Sequence, residues 1–63
     1  MDEFTKEHLL AWVIRYVPND HRWMFVSFSI DILNDPEDLA YYMREGWQRL
    51  YDRYYDERLL NNA

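Results

Sequence analysis

The chain has 63 residues, 49% of them apolar and 19% aromatic, with no cysteine. Disulfides and thiolate zinc sites are therefore excluded, and two histidines, His8 and His21, are too few for an all-imidazole metal centre. Seven Lys and Arg against twelve Asp and Glu give a net charge of −5, which repels a phosphate backbone and argues against direct binding to nucleic acid.

One small domain spanning 1–63 is expected. A chain this short buries only about 60% of the surface it exposes when unfolded, so a second copy or a larger protein partner is the expected way to enlarge its core. The start Met1-Asp2-Glu3 has no basic stretch of the kind that opens a secretion signal. The longest apolar run, Leu9 to Ile14, is too short to cross a bilayer. A cytoplasmic, reducing compartment and no membrane partner follow as expectations.

From the N-terminus, residues 11–17 are rich in β-branched and aromatic types, and Pro18-Asn19-Asp20-His21 has turn chemistry. Residues 23–32 then alternate: Met24, Val26, Phe28, Ile30 and Ile32 fall on one side, Trp23, Phe25, Ser27, Ser29 and Asp31 on the other. That period of two predicts a strand. A strand needs a partner for its backbone groups, and residues 11–17 supply one, with Tyr16 facing Trp23 and Ile14 facing Phe25. The expected class is α+β: a β-hairpin followed by one long C-terminal helix (ββα), with room for a short helix over 4–9. The alternative makes residues 5–17 a helix, begun at Thr5-Lys6-Glu7 with Leu9, Leu10, Val13, Ile14 and Val17 at helical spacing. The chain is then αβα, and its strand pairs with the same strand of a second molecule.

Asn34-Asp35-Pro36-Glu37-Asp38 is a helix start, with Asp35 as cap, Pro36 at the first helical position and acids at the positive end of the dipole. Leu39, Ala40, Met43, Trp47, Leu50, Tyr51 and Tyr54 form one apolar stripe. Gly46 allows either a close backbone approach or a break, and a single helix to about Leu60, with a kink allowed at Gly46, is expected. Such a helix overhangs its own hairpin and leaves Tyr51 and Tyr54 beyond it, and it cannot cover the hairpin's other face with Trp12, Ile14, Tyr16, Trp23 and Phe25, so ring area remains that a homodimer or a partner must cover.

No cysteine nucleophile and no glycine-rich phosphate loop is present, and Ser27 and Ser29 sit on the predicted strand, so no enzymatic activity and no cofactor are expected. On the predicted helix Asp38, Glu45, Asp52 and Asp56 line up within a narrow arc, a row of charge resembling a phosphate backbone. Tyr41, Tyr42 and Tyr55 fall outside the stripe and, with Arg49 and Arg53, offer a second surface of interface-prone types. The plainer reading is a solvated face, part-neutralised by Glu45–Arg49 and Arg53–Glu57 at four-residue spacing, with Tyr42 and Tyr55 broadening the core stripe.

Small size, acidity, absence of cysteine and aromatic excess are shared with many phage-encoded inhibitors of host enzymes, DNA mimics and anti-CRISPR proteins among them. The chain resembles them in composition, over no particular stretch. The function expected is a non-enzymatic binding protein that docks on a larger, nucleic-acid-handling protein and blocks or modulates it. Its contact residues are Asp38, Tyr41, Tyr42, Glu45, Arg49, Asp52, Tyr55 and Asp56; the alternative is a structural homodimer.

Overall fold

Thr5 opens the first helix. Its backbone is extended and its hydroxyl accepts from the His8 amide at 3.2 Å, satisfying one of the donors a helix N-terminus leaves free. The structure, a computed structural model, describes residues 5–60, with side chains to residue 58. Helix α1, Lys6–Tyr16, buries Leu9 and Val13. At its far end Arg22 donates from Nε to the Val17 carbonyl at 3.1 Å and from Nη2 to the Ile14 carbonyl at 3.0 Å. A cation thus closes the negative end of the helix.

A 3-10 turn over Asn19–His21 leads into α2, Arg22–Leu33. Here the expected strand is overturned, and with it both the ββα and the αβα readings: the described residues form four α-helices and no strand. The buried face of α2 is Phe25, Val26, Phe28 and Ser29, with Ile32 and Leu33 half-buried, which is helical spacing. Two features hid it. Ser29 points inward while Trp23, Met24 and Ile30 point outward, so apolar groups ring the helix and only the alternation stands out. The strand preference of β-branched and aromatic residues is under about 1 kcal/mol each. Once residues 6–16 are helical, a strand at 22–33 has no partner within the described chain, whereas a helix satisfies its own backbone.

Helix α3, Pro36–Glu45, begins as the sequence predicts: Asp35 Oδ1 accepts from the Glu37 amide at 2.8 Å, and Pro36 stands in the first turn. It does not run on to Leu60. Gly46 has φ 95° and ψ 170°, and a new helix, α4, spans Trp47–Tyr54 and passes into a π-helical turn, Tyr55–Leu60. This is a fold-back rather than a kink. On one continuous helix Asp38 and Arg53 would stand about 22 Å apart; their side chains meet at 3.7 Å. A Cβ at Gly46 would meet nothing within 4 Å, so the backbone angle, not a close approach, calls for glycine.

The fold-back overturns the expected overhang. Tyr54 is fully buried and Tyr51 half-buried. Phe25 lies edge-on to Tyr51 and Tyr54 at centroid separations of 5.2 and 5.4 Å, and Phe28 meets Tyr54 at 5.4 Å. Trp12 closes the cluster at 6.0 Å from both Phe25 and Tyr51. Edge-to-face pairs of this kind add about 0.5–1.5 kcal/mol each beyond the area they bury. The aromatic excess read from composition is therefore largely core, with α2 at its centre packed on α1, α3 and α4.

Candidate interaction surface

The eight residues expected to meet a partner lie on α3, α4 and the π-helical turn, but the fold-back divides them. Asp38 and Glu45 belong to α3 and Asp52 to α4, so the four carboxylates do not form one line. Arg53 binds the two helices together: its Nη1 donates to the Tyr42 hydroxyl at 3.3 Å and lies 3.7 Å from Asp38, and its Nε donates to Glu57 at 2.9 Å. The Tyr42 hydrogen bond first, and then the one to Glu57, push the guanidinium pKa still higher than its ordinary value, so Arg53 stays charged throughout.

Tyr42 is only 4% exposed and belongs to the core, whereas Tyr41 at 38% and Tyr55 at 44% remain in contact with solvent. The plainer reading thus holds for Tyr42 and not for Tyr55. The Tyr41 ring stands edge-on to Tyr42 at 4.8 Å, and Arg44 lies 5.9 Å above its centroid. Glu45 pairs with Arg49 at 3.6 Å, and Asp52 accepts from the Gln48 amide at 3.1 Å. These exposed pairs contribute little, at most about 1 kcal/mol apiece. Asp52 is held by a neutral group and Asp56 stands exposed, and neither forms an ion pair among the described residues.

Counted by half, the charge is uneven. Over residues 5–34, Lys6, Arg15 and Arg22 balance Glu7, Asp20 and Asp31. Over 35–58, Asp35, Glu37, Asp38, Glu45, Asp52, Asp56 and Glu57 outnumber Arg44, Arg49, Arg53 and Arg58 by three. The α3–α4 half is acidic and the α1–α2 half is neutral.

A second surface lies on α1 and α2, where Leu10, Ile14, Trp23 and Ile30 are all exposed; the hairpin reading already left Ile14 and Trp23 on an uncovered sheet face, whereas Leu10 and Ile30 lay outside it. His8 and His21 lie at opposite ends of α1, and His8 Nδ1 is 2.7 Å from the Thr5 hydroxyl. Among the described residues no group of three or more histidines and carboxylates stands close enough to hold a metal ion, and no helix is long and apolar enough to cross a membrane. Compared with known proteins, the chain matches no family model, no curated protein and no solved structure.

Proposed function

We propose that the protein is a non-enzymatic binding protein that docks through its acidic α3–α4 half on a basic surface of a larger, nucleic-acid-handling protein, and blocks or modulates it there. The observation that carries this reading is the uneven charge: after the internal pairs are made, three net negative charges remain on one half, beside the exposed rings of Tyr41 and Tyr55. A surface of that sign, with rigid aromatic area at hand, complements a groove built for phosphates. Tyr42 supports the surface from beneath rather than touching the partner. Ser29 is sealed in the core, its Oγ without a hydrogen-bond partner among the described residues, and Ser27 faces solvent.

The test is capture of the partner from cell extract by a tagged copy at low and high salt, with duplex DNA as competitor. Binding is expected to weaken steeply as salt rises, to yield to excess DNA, and to fall in the Asp52→Asn, Asp56→Asn double variant. Capture that is indifferent to salt, to DNA and to both amides rules the reading out.

A further inference from the structure

The α1–α2 half carries an apolar strip that the core does not use. On α2, Trp23, Ser27 and Ile30 succeed one another at helical spacing, and on α1 Leu10 and Ile14 do the same. Trp23 is 76% exposed, Ile14 65% and Ile30 53%. The two helices run antiparallel, with an open hollow at each end of their seam. One, of about 300 Å³, lies between Leu10, Ile14, Trp23 and Val26; the other, of about 260 Å³, lies between Lys6, Leu9, Ile30 and Leu33 and reaches Leu39 of α3 and Trp47 of α4. The four large exposed groups leave on the order of 500 Å² of apolar surface open, near the upper end of what the largest patch of a monomer holds.

We propose that this strip is the contact between two copies of the chain. Its charge selects that occupant. The half that bears it has no net charge, so two copies meet there without net repulsion while their acidic halves stay apart, whereas a basic protein meets Arg22 at one hollow and Lys6 at the other. Arg22, the cation beside the first hollow, spends its donors on the carbonyls of Ile14 and Val17 and on Asn19, and needs no acid across the contact. The spacing suits a two-fold axis near Ser27. A contact of that symmetry sets the bulky end of one strip against the opposite end of the other, and the small hydroxymethyl group at the middle lets the two α2 helices approach. The apolar groups of two copies bury on the order of 1,000 Å², and the polar rim brings the total to the range of stable protein interfaces, about 1,200 Å² and above.

Sedimentation equilibrium of the intact chain tests this. The expected mass at micromolar concentration is twice 7.9 kDa, unchanged or favoured by added salt, because apolar contacts are not screened. Trp23→Asp and, separately, Ile14→Lys are expected to give monomers with unaltered helical circular dichroism, since both positions face solvent within one copy. A wild-type chain that stays monomeric to millimolar concentration overturns the proposal, as does a dimer that survives both substitutions. The acidic half is untouched in these variants, so the partner-capture assay reads independently of the result.

Discussion

At the scale of single residues, the core holds polar groups that its packing does not serve. The Tyr54 hydroxyl is buried and has no hydrogen-bond partner among the described residues. Leaving such a group unpaired costs about 1–3 kcal/mol, so Tyr54→Phe, which keeps the ring edge-to-face with Phe25 and Phe28, is expected to stabilise the fold by about 1 kcal/mol in urea denaturation; a loss of that size would mean that the hydroxyl is served after all. Burial first, and the neighbouring Tyr51 second, also raise the Tyr54 phenol above its usual range, with Arg58 opposing; Tyr51 is raised likewise, by burial and then by Tyr55. The folded chain therefore holds these protons more tightly than the unfolded chain does. Their contribution to stability is complete below the unfolded phenol value of about 10 and is lost as pH rises through the folded values. Melting temperature is expected to be flat up to about pH 9 and to fall beyond pH 10, less steeply in the Tyr51→Phe, Tyr54→Phe double variant.

At the scale of elements, the turn at Gly46 decides how α3 and α4 meet. Its φ of 95° with ψ of 170° lies in a region that only glycine enters freely, and a side chain there costs about 1–3 kcal/mol. Gly46→Ala is expected to destabilise by that amount although the site has room for a methyl group. D-alanine at the same position, introduced by chemical synthesis, is expected to stabilise by about 0.4–1 kcal/mol, because it suits a positive φ and restricts the unfolded chain. Equal losses from the two enantiomers, read from thermal melts, would make the effect steric and not conformational. Local signals made part of this architecture readable in advance. Asp35-Pro36 marked the start of α3 through chemistry confined to one turn, and Glu45–Arg49 and Arg53–Glu57 followed from their spacing of four. Helix α1 was visible as the alternative at 5–17. What escaped depended on distant partners: Arg53 reaching Asp38 and Tyr42 requires the fold-back, and α2 takes its inward face from α1, α3 and α4, not from its own sequence. With Ser29 inside and Trp23 outside, its pattern contradicts its burial.

At the scale of the whole molecule, four short helices divide the chain's properties between two halves. The rings that composition suggested were surplus, Tyr54 and Phe25 above all, fill the core. Of the exposed apolar area that remains, Trp23, Ile14 and Ile30 lie in the neutral half, while Tyr41, Met43 and Tyr55 lie in the acidic one. The dimer contact rests on α2 being a helix: a strand at 22–33 would turn Trp23 and Phe25 to the same side, and the strip of Trp23, Ser27 and Ile30 would not exist. Backbone ¹³C chemical shifts over Arg22–Leu33 test this most directly. Helical shifts at every position from Trp23 to Ile32, with slow amide exchange from Val26 onward, are the predicted result. Strand shifts across Met24 to Ile30 would contradict the fold, and the strip proposed as the dimer contact would fall with it.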